Sequence, residues 1–309
     1  MVGNEADIIE SFVRHHIRLL DELVLIVHRP IDGTEGILRK LQDEGLPVDL
    51  RTARHAAFRQ ADETSAVARE LLRDGTDFVV LLDADEFLRL PDERYLQRAL
   101  PALPADRFGA WRWQCYVPLP GDDAREANPV RRIRHRRREE GIDCFKVVLT
   151  RAFLDEGYYL LEGNHCVMQA RSAGQDIAAP MTELKTPRLA HFPVRSRAQL
   201  ETKVILGELA KRGSREADSA LGNHWRQLFA TIRDRGGLDA GTIRRIAVRY
   251  PFPEDALLDV ADDGLVEDPV AIDFDLRYGL AANSDTLQNI LRWLDTDRVA
   301  AWRTGTPGT

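Results

Sequence analysis

Residues 78–87, Phe78-Val79-Val80-Leu81-Leu82-Asp83-Ala84-Asp85-Glu86-Phe87, carry an unbroken apolar stretch straight into three carboxylates. Gly75 and Asp77 bound the run at its start, and five apolar residues without alternation predict a strand covered on both faces, central and parallel in its sheet. Side chains along a strand alternate between faces. Asp83 and Asp85 are therefore expected on one side of the strand end, with Ala84 turned away, where two carboxylates converge on a divalent cation. Two like charges that close repel, so a cation or a hydrogen-bond network has to offset the repulsion.

The chain leading to this run alternates helix and strand. Asp7 stands at a cap position with Glu10 three residues on, and Ile8, Ile9, Phe12, Val13, Ile17 and Leu20 give the following helix an apolar face. Leu23 to Val27 reads as a strand, Asp32-Gly33-Thr34 as a turn, and Ile37, Leu38 and Leu41 as a helix that stops at Gly45. Val48 to Arg51 is a further strand, and a helix from about Asp62 to Arg73 ends at Gly75. This alternation implies right-handed crossovers and an open parallel sheet, with ligands outside the carboxyl ends of its strands. Asn4, Asp32 and Asp83 fall at those ends. His15 and His16 read as helix residues without assigned chemistry.

Beyond Glu86 the pattern changes to a short helix, Glu93 to Leu100, and longer strands of antiparallel character. Phe108 to Val117 alternates as a half-exposed strand, with Trp111, Trp113 and Tyr116 serving either the core or a sugar ring. Cys144 to Thr150 and Gly157 to Leu161 are further strands. Arg131 to Arg138 is the most basic stretch of an acidic chain and reads as a solvated loop, or as a contact for a diphosphate, an anionic acceptor or the headgroups of a peripheral membrane surface. The formal net charge of -7 argues against general nucleic-acid binding. Cys115, Cys144 and Cys166 lack Cys-x-x-Cys spacing, so neither a disulfide framework nor a zinc knuckle is indicated and a cytoplasmic location is expected. No apolar run reaches the roughly 20 residues that span a bilayer. Ser196 with Gln199 forms a capping box. Helices are then expected around Leu200 to Leu209, Trp225 to Ile232 and Leu287 to Leu294, with a connector between Glu254 and Asp275 and a frayed end from Gly305 to Thr309.

Asn4-Glu5-Ala6-Asp7-Ile8-Ile9-Glu10, the Asp32-Gly33-Thr34 turn and Leu82-Asp83-Ala84-Asp85-Glu86-Phe87 occur in an order and spacing that resemble family 2 glycosyltransferases of the A-type fold. The resemblance covers roughly residues 1–203. It implies an α/β fold with a mostly parallel open sheet that binds nucleotide sugars, in a domain of residues 1–195, followed by a mainly helical region, 196–309. The implied activity moves a sugar from a nucleotide-diphosphate donor to an unidentified saccharide, lipid or protein acceptor, with Mn²⁺ or Mg²⁺. By this resemblance Asn4, Glu5, Asp32, Asp83, Arg195 and Lys203 meet the donor, and Asp83, Asp85 and His191 of the segment His191-Phe192-Pro193-Val194-Arg195-Ser196 hold the metal. An inverting transferase also needs a base within reach of the acceptor hydroxyl, and Glu162 and His165 of the Glu162-Gly163-Asn164-His165 turn are the candidates.

The chain departs from the family in three places. Val27, followed by His28-Arg29-Pro30, stands where the family has an acid that helps hold the base; Met1-Val2-Gly3 stands where it has a complete first strand; and its Glu-Asp base pair is not located. Plain structural roles stay open for Asp32 as a turn former, Glu5 as a cap partner, His165 as a turn residue and His191 as a core histidine. Two other classes also stay open: a metal-dependent nucleotidyltransferase or phosphohydrolase, and a non-catalytic binding protein that keeps the fold.

Overall fold

Apolar stripes at helical and strand spacing build the first half of the chain. The computed structural model describes residues 1–55, 59–140, 143–171, 175–186, 188–213, 223–251, 264–279 and 290. Helix α1 (Ile9–His16) buries Ile9, Phe12 and Val13, β1 (Leu23–Val27) pairs in parallel with β2 (Val48–Thr52), and α2 (Thr34–Asp43) crosses between them. Val2 adds a parallel bridge to Val27. Helix α3 (Gln60–Arg73) then leads to β3 (Val79–Val80) through Gly75, whose φ of +107° suits glycine. One expectation fails at α1: Asp7 makes no cap, because both its carboxylate oxygens are taken by Arg195.

The run at 78–87 is not the continuous central strand its composition predicts. Strand β3 is antiparallel to β7 (Phe145–Leu149), the ladder ends by Leu81, and a turn at residues 83–86 precedes β4 (Glu86–Arg89). The acids themselves cause the break. Glu86 N–H donates to the Asp83 carbonyl at 3.1 Å, and Asp83 N–H donates to the Glu86 carboxylate at 2.7 Å, so these backbone groups are spent within the turn rather than in a ladder. Asp83 and Asp85 are thus related by a turn, not by strand alternation.

The centre of the molecule is instead β5 (Phe108–Val117). Helix α4 (Tyr95–Ala99) precedes it, and β6 (His135–Arg137) and β7 lie antiparallel to it. A small antiparallel sheet of β8 (Tyr158–Leu160), β9 (Val167–Gln169) and β10 (Ile177–Ala178) lies apart, and β11 (Met181–Glu183) and β12 (Arg188–His191) pair with β5 in parallel. Strand β12 also runs antiparallel to β4, which places His191 opposite Glu86. Among the described residues three strand pairings are parallel and seven antiparallel, so the fold is mixed α/β and the expected mostly parallel open sheet is corrected. Because β5 is covered on both faces, Trp111 and Tyr116 are fully buried and the strand is not half-exposed.

The basic run is no loop. It forms α5 (Pro129–Arg132) and β6, and its arginines meet acids: Arg131 pairs with Asp275, Arg134 with Glu267, Arg136 with Asp268 and Arg137 with Glu140. Helices α6 (Arg197–Gly213), α7 (Asn223–Arg235) and α8 (Ala240–Arg249) pack Leu200, Val204, Leu228 and Ile246 against Val117 and Val194. Gln199 N–H donates to Ser196 Oγ at 3.1 Å, and the return bond reaches Arg195 N–H, one residue earlier than the standard box. The C-terminal region is not helical alone: β13 (Leu265–Glu267) pairs with β6, and Glu10 accepts the N–H groups of Arg277, Tyr278 and Gly279. The helix expected around Leu287 to Leu294, Ile290 apart, and the chain end from Gly305 lie outside the described residues. The three cysteines are free, and no helix among the described residues is long and apolar enough to cross a membrane.

Candidate active site

The Asp83–Glu86 turn meets β5, β7 and β12 where a buried ammonium faces its acids. Lys146, on β7, has no exposed side-chain surface; its Nζ lies 2.5 Å from Asp83 Oδ2, 2.6 Å from the Gly163 carbonyl and 3.6 Å from Glu86 Oε1. Gln60, at the start of α3, donates to Asp83 Oδ1 at 2.7 Å. Burial alone would raise the Asp83 carboxyl, but Lys146 overcomes it and holds the group below the usual carboxylate range. Burial likewise pulls Lys146 down, and Asp83 and Glu86 turn the balance upward. Glu86 is wholly buried, accepts Trp113 Nε1–H at 2.6 Å, and is pushed well above its ordinary value by that burial, with Lys146 opposing.

Two successive left-handed residues, Gly163 at φ +80° and Asn164 at φ +57°, aim the Gly163 carbonyl at Lys146. The strained Asn164 is fixed by Thr64, whose hydroxyl donates to its Oδ1 at 3.0 Å. The turn brings His165 against the edge of Trp113, ring centroids 4.9 Å apart, with His165 Nδ1 2.8 Å from the Phe145 carbonyl. Glu162 is exposed and accepts from Ala61 N–H at 3.4 Å, on the rim beside α3. Of the two candidate bases, only His165 is brought into the cluster.

Asp85 faces the opposite wall. His191 Nε2 stands 3.7 Å from Asp85 Oδ1, too far for a hydrogen bond, and its ring stacks on Trp113 with centroids 4.0 Å apart. Burial, with Lys203 and Lys146 nearby, keeps His191 well below its usual value and therefore neutral. Arg195 binds Asp7 and Glu5 at 2.6 to 2.9 Å and stands 3.7 Å from Asp85, and Lys203 stands 3.9 Å from Asp85 with its side chain a third exposed. Arg195 is thus buried and fully engaged, not a surface charge. Among the described residues no three His, Cys, Asp or Glu side chains converge to hold a metal ion. The expected trio is divided: Asp85 faces His191, whereas Asp83 faces Lys146.

Asn4, Glu5, Asp7, Asp32, Gln199, Thr202, Lys203 and Leu206 line a cavity of about 170 Å³. Segments far apart in sequence are tied together here. Asn4 Oδ1 accepts Ile31 N–H, Asp32 accepts Ala6 N–H and Thr34 N–H, and Glu5 N–H donates to Thr34 Oγ1, all within 3.0 Å. Thr202 is 5 % exposed and its hydroxyl, among the described residues, has no partner. A larger groove of about 1250 Å³ runs past Arg131, Arg132 and Arg134, whose ion pairs and carbonyl contacts already engage them.

Lys146, Gln60 and Tyr250 were not among the residues singled out from sequence, and Glu86 was named only as the third carboxylate of the acidic motif, without a site role; Tyr250 sits edge-on to His191 at 5.4 Å. Lys146 left a signal, as the lone charge in the apolar run Phe145-Lys146-Val147-Val148-Leu149. Gln60 left none. Neither a family model nor a curated protein matches the chain.

Proposed function

We propose that this protein is a glycosyltransferase with an A-type nucleotide-sugar site that moves a sugar from a nucleotide-diphosphate donor to an acceptor. The supporting observation is the cavity that gathers Asn4, Glu5, Asp32 and Lys203 from remote segments and reaches Asp85 through Lys203 and Arg195. At about 170 Å³ it is smaller than the roughly 300–1,000 Å³ of whole ligand pockets, so it takes one end of a donor while the rest lies along the Asp83–Asp85 turn.

Asp85 and the neutral His191 offer a carboxylate and an imidazole to Mn²⁺ or Mg²⁺, and such an ion supplies charge stabilisation for a departing diphosphate. Lys203, partly exposed, is free to add its charge on the same side, while Arg195 holds Glu5 and Asp7 in place. His165 presents the tautomer a general base needs. Its Nδ1–H donates to the Phe145 carbonyl, which leaves the lone pair on Nε2, and burial lowers its proton affinity so that it starts neutral. A non-catalytic binding role is the second reading, and the capture of Asp83 by Lys146 favours it.

Calorimetry with uridine and guanosine diphosphates and their sugars tests the proposal. One of them binds in Mn²⁺ and not in chelator, and equal affinity in chelator overturns the metal-assisted site. Binding of a nucleotide sugar without hydrolysis or transfer to any acceptor tried selects the second reading.

A further inference from the structure

An Asp-x-Asp pair ordinarily balances its charge with a metal, but half of this pair is already balanced from within. The Lys146 ammonium points its donors at Asp83 Oδ2 and the Gly163 carbonyl and stands 3.6 Å from Glu86, and the second Asp83 oxygen is taken by Gln60. The arrangement is constructed rather than incidental. Lys146 and Glu86 have no exposed side-chain surface, Trp113 and the Asp83 backbone hold the two Glu86 oxygens, and the left-handed Gly163-Asn164 pair sets the carbonyl that completes the ammonium's contacts. A cation ligated by Asp83 would lie against a fixed positive charge, which repels it. No such charge touches Asp85 directly: Arg195 and Lys203 stand 3.7 and 3.9 Å away, and His191, at 3.7 Å, is neutral.

We propose that Lys146 is a positioning residue that serves as a built-in cation for Asp83, keeping this carboxylate out of the metal shell and leaving Asp85 with His191 as the protein's metal donors. Asp83 then stays an oriented, ionised acceptor at the cleft, where 29 % of its side chain is open to a ligand donor. Asp83 is then held by a fixed cation while Asp85 takes an exchangeable one, and with Arg195 and Lys203 also near Asp85 metal binding is weak until a diphosphate adds its own oxygens. The inference rests on the proposed function only for the expectation that the native protein takes up Mn²⁺.

The test is Mn²⁺ binding without nucleotide, read by calorimetry and by the Mn²⁺ spin-resonance signal. Lys146→Met frees Asp83 to join Asp85 and His191, and the Mn²⁺ affinity rises at least tenfold. In the double variant Lys146→Met with Asp83→Asn the net charge of the site is unchanged and the buried pair is replaced by neutral groups, a change that folded proteins tolerate. Its Mn²⁺ affinity stays within threefold of the native value, whereas a tenfold loss means that Asp83 was a ligand and overturns the inference. Should Lys146→Met fail to fold, the double variant decides. A folded Lys146→Met protein with native Mn²⁺ affinity overturns the role of Lys146 while leaving the metal-assisted reading intact. A native protein that ignores Mn²⁺ beside a Lys146→Met protein that binds it does the reverse.

Discussion

The indole of Trp113 lies flat against the imidazole of His191, centroids 4.0 Å apart and planes 27° from parallel, while its N–H reaches Glu86 on the Asp-x-Asp turn. One side chain thereby fixes both walls of the site. Trp113→Phe retains a ring against His191 but leaves the Glu86 oxygen without its donor, at a cost of about 1–3 kcal/mol in urea unfolding. Trp113→Ala also opens a cavity and costs about 3–5 kcal/mol. A Trp113→Phe protein as stable as the native one would show that the hydrogen bond to Glu86 contributes nothing.

Asp85→Asn separates a ligand carboxylate from a structural one. Its cationic neighbours stand 3.7 to 3.9 Å off, so the substitution changes the ligand-free melting midpoint little. Added Mn²⁺ and nucleotide stabilise the native protein by RT ln(1 + [L]/Kd), about 2.7 kcal/mol at a hundredfold excess over Kd, and Asp85→Asn loses that gain. A variant that melts much earlier yet still responds to ligand would mark Asp85 as structural, since breaking a buried ion pair costs roughly 3–5 kcal/mol.

His16 makes stability depend on pH. It is fully buried, its Nδ1 lies 2.8 Å from the Phe12 carbonyl, and its Nε2 accepts Leu88 N–H at 3.3 Å, so both nitrogens are satisfied only in the neutral ring. Burial, reinforced by His15, holds its pKa well below the ordinary value of 6.5. The unfolded chain therefore binds the proton first as pH falls below about 6.5, and stability drops by up to about 1.4 kcal/mol per pH unit for this one group. Above that pH its contribution is constant. Denaturation midpoints between pH 7 and pH 5 should show the fall, and His16→Gln should flatten it; an unchanged slope in the variant refutes the assignment.

Glu10 clasps the returning chain. Its carboxylate, 1 % exposed, accepts three successive backbone N–H groups from Arg277, Tyr278 and Gly279 at 2.7 to 2.8 Å. Glu10→Gln keeps the shape but removes the charge and one acceptor, and should cost about 2–3 kcal/mol. Hydrogen exchange should quicken at residues 277–279 and remain unchanged in α3. Uniform acceleration across both would mean that Glu10 supports the whole fold rather than this segment.

Local signals in the sequence determined the first helices and strands, the stop at Gly45, the cap at Ser196 and the acids that follow an apolar run. Periodicity and capping are set within a few residues of one another, so a single chain displays them. The partner of each charge was decided by the tertiary structure. Lys146 reaches Asp83 because β3 and β7 run antiparallel with Val80 opposite Val148, and His191 reaches Asp85 because β12 lies beside β4 with His191 opposite Glu86. The arginines at 131–138 read as a solvated loop for the same reason, since Glu267, Asp268 and Asp275 lie more than a hundred residues away in sequence. Strand register fixes such pairings, a shift of one residue would turn every side chain to the other face, and register is set by the packing of the whole sheet rather than by either strand alone.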